Sequence, residues 1–256
     1  MTGGPPTRDI TRADPAVTPF VLAPGVLAAF TGRPGGFSEP PWDSLNLGLG
    51  SGDAPDVVAR NRRAAAAACD LAPGQLVWMR QVHSADVSQV TGPETGAAPR
   101  DASFTAVPGL ALGVLSADCP GVLVADPEAR IVGAAHSGRQ GTALGVVPAL
   151  VQAMTAAGAD PGRMHAVIGP GICGGCYEVA AAMRDDVAAA VPGTGCTTRA
   201  GTPGLDLAAG IAGQLTRLGV RQVRTDGRCT AEDRDLYSYR RDGRTGRFAG
   251  LIWLAS

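Results

Sequence analysis

Between residues 110 and 136 the chain is almost continuously apolar, broken by two short polar clusters. Leu110–Leu115, Val122–Ala125 and Ile131–Ala135 are too short for helices and rich in β-branched and aliphatic residues, so each predicts a strand. The loop DPEAR between the last two has hairpin length. Further strands are predicted in GVLAAF, in Gln75–Val82, near Val87–Val90, and in MHAVIG, RQVRTDG and GRFAGLIWL. A helix is predicted over Asp56–Asp70, with Asp at the cap and Pro73 just beyond. Others are predicted near Leu144–Ala157 with a bend at Pro148, in EVAAAMRDDVAAAV, and in DLAAGIAGQLTRLG ending at Gly219. The Gly- and Pro-rich stretch after GVLAAF is long enough to be either a functional loop or disordered.

Strands and helices are mixed without strict βα alternation. This favours an α+β fold, a layered α/β sandwich of mixed β-sheets covered by helices. Residues 1–20, rich in Pro, Thr and Asp, predict a flexible tail. No repeat or linker divides the rest, so 21–256 is expected to be a single domain.

Composition changes this picture little. The 256 residues are 45% hydrophobic and 18% charged, as in an ordinary globular protein. A net charge of −1 gives no overall pull toward nucleic acid or membrane. No apolar run approaches the roughly 18 residues of a membrane span, and the N-terminus has no signal-peptide pattern. A cytoplasmic location is therefore expected, with the six cysteines free or metal-bound. All 22 basic residues are Arg, which fits either anion binding or a compositional bias that also enriches Ala, Gly and Pro.

Only three histidines occur, and two of them close strand-like runs: His83 after WMRQV and His136 after IVGAA. Cys119 closes LGVLSAD. Two imidazoles and a thiolate form a three-ligand set of the catalytic-zinc kind, leaving one position for water or substrate. The spacings satisfy no local metal motif, and hydrogen-bonded histidines of no metal function fit them as well. Cys173 and Cys176 form a C-x-x-C that reads as a redox pair, a metal pair or incidental, with no second C-x-x-C to complete a four-cysteine site. GPGICGG lacks the Walker pattern but precedes a helix and suits an anion. The six arginines of GRCTAEDRDLYSYRRDGRTGR suit a phosphate site, or pairing with the acids beside them.

In order along the chain stand FTGRPGGFSEPPWDSLNLG, QVHSADV, ADCPGVLVADP, AAHSGRQG, IGPGICGGCYEV and CTAEDRDLYSYRRDGRTGRFAGLIWL. Over about residues 24–254 this set resembles the family called both laccase-domain (multicopper polyphenol oxidoreductase) proteins and zinc-dependent purine nucleoside phosphorylases. The resemblance implies one zinc on His83, Cys119 and His136 plus a water. It also implies phosphorolysis of adenosine, inosine and methylthioadenosine, with deamination of adenosine. Under it, Cys119, His136, Arg139 and Arg240 are the expected catalytic residues, and Asn46, Arg241, Cys176 and Glu178 the expected substrate contacts. Asp118 is expected to orient a ligand or cap its turn. The expected partners are a small-molecule nucleoside and phosphate, with no nucleic acid or membrane, for a monomer or small homo-oligomer. The family pattern H-A-G-W-R-G is H-S-G-R-Q-G here, so Arg139 takes the Trp position and Gln140 the Arg position. Ser84 follows His83 where Gly is usual, and Gly175 stands where many relatives carry Cys. Copper chemistry is disfavoured, because three histidines cannot furnish a blue-copper site and a trinuclear cluster. A hydrolase editing peptidoglycan-precursor peptides, with Cys119 as nucleophile or through the metal, is the alternative, and a zinc-stabilised scaffold without activity a third.

Overall fold

A computed structural model of the chain describes residues 17–94 and 98–255. In order along the chain lie β1 (Phe20–Ala23), β2 (Val26–Phe30), α1 (Pro55–Ala68), β3 (Leu76–Trp78), β4 (Val87–Gln89), β5 (Ala102–Thr105), β6 (Ala111–Ser116), β7 (Gly121–Asp126) and β8 (Ile131–His136). They are followed by α2 (Arg139–Leu144), α3 (Val146–Ala156), β9 (His165–Ile168), α4 (Ala181–Ala190), β10 (Gly195–Thr197), β11 (Pro203–Leu205), α5 (Leu207–Arg217), β12 (Gln222–Thr225), α6 (Tyr239–Asp242) and β13 (Phe248–Leu254).

Alternation within the apolar strands explains the layers. On β7, Leu123 and Ala125 face one apolar cluster while Val122 and Val124 face another. On β13, Ile252 joins the first of these clusters and Leu251 and Trp253 a third. Both faces of each strand are therefore buried, which is why the sequence reads as continuous apolar runs. The shared inner cluster lies between a five-stranded sheet, ordered β1-β2-β13-β6-β3, and a six-stranded sheet, ordered β12-β9-β7-β8-β5-β4. Helices α3 and α5 cover the outer face of the six-stranded sheet. Helix α1 and the loop residues Leu45 and Leu47 cover the outer face of the other. Both sheets are mixed: β3–β6, β4–β5 and β9–β12 pair in parallel, and the remaining pairs are antiparallel. The result is the layered α+β sandwich expected from the sequence. Among the described residues no helix is long and apolar enough to cross a membrane.

Three expectations need correction. The helix expected to bend at Pro148 is two helices, α2 and α3, separated at Gly145 in the left-handed region (φ 81°). Pro148 sits in the first turn of α3, where a missing N–H costs no intrahelical bond. The strand expected over Gln75–Val82 shortens to β3, after which the chain leaves its sheet. The expected tail is shorter at its inner end, because Val17 bridges to Thr31 and Phe20 opens β1. The remainder of that expected tail, residues 1–16, lies outside the described residues.

The β7–β8 hairpin is locked by a buried carboxylate. Asp126 accepts hydrogen bonds from the backbone N–H groups of Glu128, Ala129 and Asp160 and from the Arg163 guanidinium. Burial alone would raise its pKa, but these donors, Arg163 first, hold it below the ordinary carboxylate value. A carboxylate whose folded pKa is depressed contributes stability that is complete well above its unfolded pKa of about 3.9 and is lost as pH falls through the folded pKa. Acid-unfolding curves should therefore show a loss of stability below about pH 4 that Asp126→Asn reduces. Identical acid profiles for the two proteins would refute this.

Candidate metal centre and active site

Strand β6 belongs to one sheet and β7 to the other, so residues 117–120 are a crossing between sheets. That crossing is the physical reason the apolar run breaks at Asp118-Cys119-Pro120. The chain makes a second crossing between β3 and β4, and that loop carries His83. His136 ends β8 opposite Gly121, the first residue of β7. All three side chains therefore meet at one end of the sandwich. Their ligand atoms lie within 4.8 Å of one another, and Cys119 Sγ is 4.0 Å from His83 Nε2. The two imidazoles stand edge to face with centroids 4.8 Å apart.

One carboxylate organises this group. Asp101 Oδ1 is 2.8 Å from His136 Nδ1, which leaves Nε2 as the nitrogen free to bind. Asp101 Oδ2 accepts the backbone N–H groups of Val82 (2.9 Å) and Ser84 (2.7 Å), on either side of His83. His83 itself has φ 63°, an uncommon backbone for a residue with a side chain, and these two bonds hold it there. Sequence reasoning missed Asp101. Its only signal was a charged residue opening the apolar run ASFTAV.

The electrostatics follow from the same contacts. Burial pushes the Cys119 thiol up, but its hydrogen bonds with His136 and then His83 outweigh that and bring it to about 6. Burial pushes His136 down, yet its hydrogen bonds to Asp101 and Cys119 bring it up to about 9. Burial would raise Asp101, and its hydrogen bonds with His136, Ser84 and Val82 hold it at about 2. A thiolate is thus present near neutral pH. The donor set, two imidazoles and one thiolate, suits zinc, and the 4.0 Å gap is close to the roughly 3.6 Å between two ligands on a tetrahedral zinc.

Gly138 closes one side. A Cβ there would lie 2.7 Å from Cys119 Sγ and 3.1 Å from the His83 ring, so no larger residue fits without displacing the ligands.

A cavity of about 1120 Å³ opens above the three ligands and continues between the loop at Gly48–Ser51 and the wall carrying Ile172 and Tyr177. Arg62, Trp78, Arg240 and Arg247 also line it. The Arg62 guanidinium lies 4.3 Å from the Trp78 ring, and burial lowers its pKa to about 10. Arg240 is exposed, lies 5.1 Å from the Tyr177 ring and donates to the Glu178 carbonyl. Arg139, the first residue of α2, is half-buried outside the cavity lining but close enough to the Tyr177 phenol to lower its pKa. Burial first, and the Cys119 charge second, outweigh that and leave the phenol raised. Asp118 neither faces the metal ligands with its carboxylate nor stands alone. It accepts bonds from Thr230, Ser238 and the Arg240 backbone, tying the Cys119 loop to the segment that carries Arg240.

Four expected substrate contacts do not face the cavity. Asn46 is wholly buried: its amide donates to Ser51 and Asp53 and accepts from the Gly48 and Arg247 N–H groups. It shapes the cavity wall rather than touching a ligand. Arg241 spends all five N–H donors on Asp242 and on the carbonyls of Thr230, Asp233 and Leu236. It holds a loop and has no donor left for phosphate. Cys176 turns away toward Cys173, Cys229 and Glu232. Glu178 is exposed outside the cavity lining, and the bond it offers Arg240 comes from its backbone.

Known proteins share this chain's sequence pattern and fold. The family model described as "Multi-copper polyphenol oxidoreductase laccase" matches residues 27–255. A Streptomyces griseus protein named purine nucleoside phosphorylase ORF3 is 51% identical over 229 residues, covering 88% of this chain and 93% of that protein. A Mycobacterium bovis protein, purine nucleoside phosphorylase BQ2027_MB2173C, is 47% identical over 97% of this chain and 98% of its own length. Among solved structures, Neisseria meningitidis NMB0706 superposes with a TM-score of 0.85 at 34% identity, covering 95% of this chain and all of that one. YlmD from Geobacillus stearothermophilus superposes with a TM-score of 0.85 at 33% identity, over 91% of this chain and 93% of that one.

Proposed function

This chain belongs to the multi-copper polyphenol oxidoreductase laccase family, and from that membership we propose that it is a zinc-dependent purine nucleoside phosphorylase that also deaminates adenosine. Adenosine, inosine and methylthioadenosine are its proposed nucleosides, and the cytoplasm its proposed location. The observation that carries this reading is the convergence of His83, Cys119 and His136 beneath a cavity roomy enough for a nucleoside and phosphate. Relatives at about half identity that are named purine nucleoside phosphorylases support it. The multi-copper chemistry in the family's name has too few ligands here, since only two of the three histidines reach the centre and His165 lies on β9.

Zinc held by His83, Cys119 and His136 would supply a Lewis acid with an open position. Asp101 fixes the proton of His136 on Nδ1 and keeps the ring aimed at the centre. Arg240 offers a guanidinium with few intramolecular partners at the cavity, suited to hold phosphate and the charge that develops as the glycosidic bond breaks. Arg139 adds a second positive charge beside Tyr177, from the position where relatives of the family pattern carry Trp.

Adenosine incubated with the protein should release adenine and ribose 1-phosphate only when phosphate is present, and inosine and ammonia without it. Phosphate-independent release of adenine would defeat the phosphorylase reading. Arg240→Ala should raise the KM for phosphate roughly 10- to 100-fold, the worth of a charge-assisted hydrogen bond, and move the nucleoside KM little. Arg241→Ala should instead lower the melting temperature. A phosphate KM unchanged by Arg240→Ala would remove that residue from the site.

The Cys119 Sγ–His83 Nε2 approach of 4.0 Å also fits a nucleophile and its base, favouring the cysteine amidase as the second reading. Cleavage of an acyl amide that survives chelation but not thiol alkylation would select it.

A further inference from the structure

Behind the cavity wall, two tight turns face each other. Cys176 and Tyr177 fold back to donate their N–H groups to the Cys173 carbonyl. Opposite them, Glu232 donates its N–H to the Cys229 carbonyl. Each turn thus presents two side chains three residues apart: Cys173 and Cys176 on one, Cys229 and Glu232 on the other. The turns are zipped together by a bridge between Gly171 and Cys229, by the Thr230 N–H on the Gly171 carbonyl, and by the Cys173 N–H on Cys229 Sγ at 3.3 Å. The three sulfurs and a Glu232 carboxylate oxygen lie within 4.8 Å of one another.

We propose that Cys173, Cys176, Cys229 and Glu232 form a second zinc site, structural rather than catalytic, that pins the loop carrying Ile172 and Tyr177, part of the cavity wall, to the Cys229–Glu232 turn behind it.

Four ligands from protein close a tetrahedral site, whereas the His83, Cys119 and His136 set leaves a position open. Thiolate sulfur selects zinc over hard cations such as magnesium or calcium. The charge also fits. Three thiolates and a carboxylate around a divalent ion carry a net charge of −2, and Arg199 stands beside them, with Nη1 3.1 Å from Cys176 Sγ and in contact with Glu232. On binding, each thiol still protonated releases its proton to solvent and no electrons move. A disulfide would use only two of the three sulfurs, and all six cysteines are free. The consequence is mechanical. The first loop runs on into Tyr177, and Thr230 on the second bonds Asp118, which in turn holds the Arg240 backbone. A cation here fastens Tyr177 and Arg240 to one frame.

The site is independent of the reaction proposed above, and so is its test. Protein purified under reducing conditions without metal-affinity resin should contain two zinc ions per chain. Cys119→Ala should keep one, and Cys229→Ser should keep the other. Cobalt taken up by Cys119→Ala should show the intense thiolate-to-metal charge-transfer absorption of a three-sulfur site. Should Cys229→Ser fail to fold, the half-exposed Glu232→Gln should weaken zinc retention at this site, by at least the roughly 10- to 100-fold lost with a supporting group. A Cys119→Ala protein that is folded, free of zinc and without the sulfur–cobalt band would overturn the proposal. So would a Cys173–Cys176 disulfide in freshly reduced wild-type protein. Loss of activity in Cys119→Ala bears only on the catalytic centre and leaves this outcome unaffected.

Discussion

Replacing Cys119 or His136 by alanine is expected to remove one zinc ion per chain and reduce nucleoside phosphorolysis to background. Two of three ligands remain in each variant, and two ligands do not retain a catalytic zinc whose fourth position must stay open. The two variants should differ in stability. Cys119 is half-buried beside solvent, and its loss leaves no orphaned charge. His136 is buried and paired with a wholly buried Asp101. Removing it takes the partner from Asp101 Oδ1 while Oδ2 keeps its two backbone donors, and losing one partner of a buried pair costs about 3–5 kcal/mol. Metal analysis, steady-state rates and thermal melts on the two variants would check both halves. Full phosphorolytic activity in a metal-free His136→Ala protein would end the zinc-centred account.

The second large effect is expected at Asp101, which need not touch the metal or the substrate. Asp101→Ala should weaken zinc binding at the His83, Cys119 and His136 set roughly 10- to 100-fold. It should also destabilise the fold, because the N–H groups of Val82 and Ser84 and the His136 Nδ1 all lose their acceptor. The buried orphan among them, His136 Nδ1, costs about 1–3 kcal/mol, and the part-buried N–H groups less. Asp101→Asn is not a rescue. Its amide retains one acceptor for His136 but turns a donor toward two backbone donors. A zinc titration followed by thermal melts separates the contributions, and unchanged zinc affinity in both variants would show that His136 is oriented by something else.

Much of this molecule can be read from the sequence because both faces of its central strands are buried. Val122, Leu123, Val124 and Ala125 form one apolar run whose alternate members serve different layers, so the strand was plain although the layers were not. Helix α1 and the end of α5 were nearly as plain, since Asp56, Pro73 and Gly219 mark them locally, although Ala54 rather than Asp56 caps α1, with Asp56 inside its first turn. The break at Gly145 was hidden because a glycine's left-handed φ leaves no trace in composition, while Pro148 offered a false cue. The candidate metal ligands were visible as rare residue types at strand ends. Their convergence was not, because it depends on β3, β6 and β8 lying in two different sheets. The arginines were the least legible. Arg240 and Arg241 are neighbours in the chain, yet one faces the cavity and the other is fully occupied by carbonyls and Asp242, a distinction set by the turn of α6 alone.

The order in which strands are made differs from the order in which they are needed. Strand β13 spans residues 248–254 yet sits in the middle of the five-stranded sheet, between β2 and β6. Until the ribosome releases it, β1–β2 and β6–β3 are two ribbons with a gap between them, and the segment bearing Arg240 has no anchored neighbour downstream. A nascent chain stalled before residue 248 therefore displays open sheet edges and an unfinished pocket, making it a natural client for chaperones and proteases rather than a partly active enzyme.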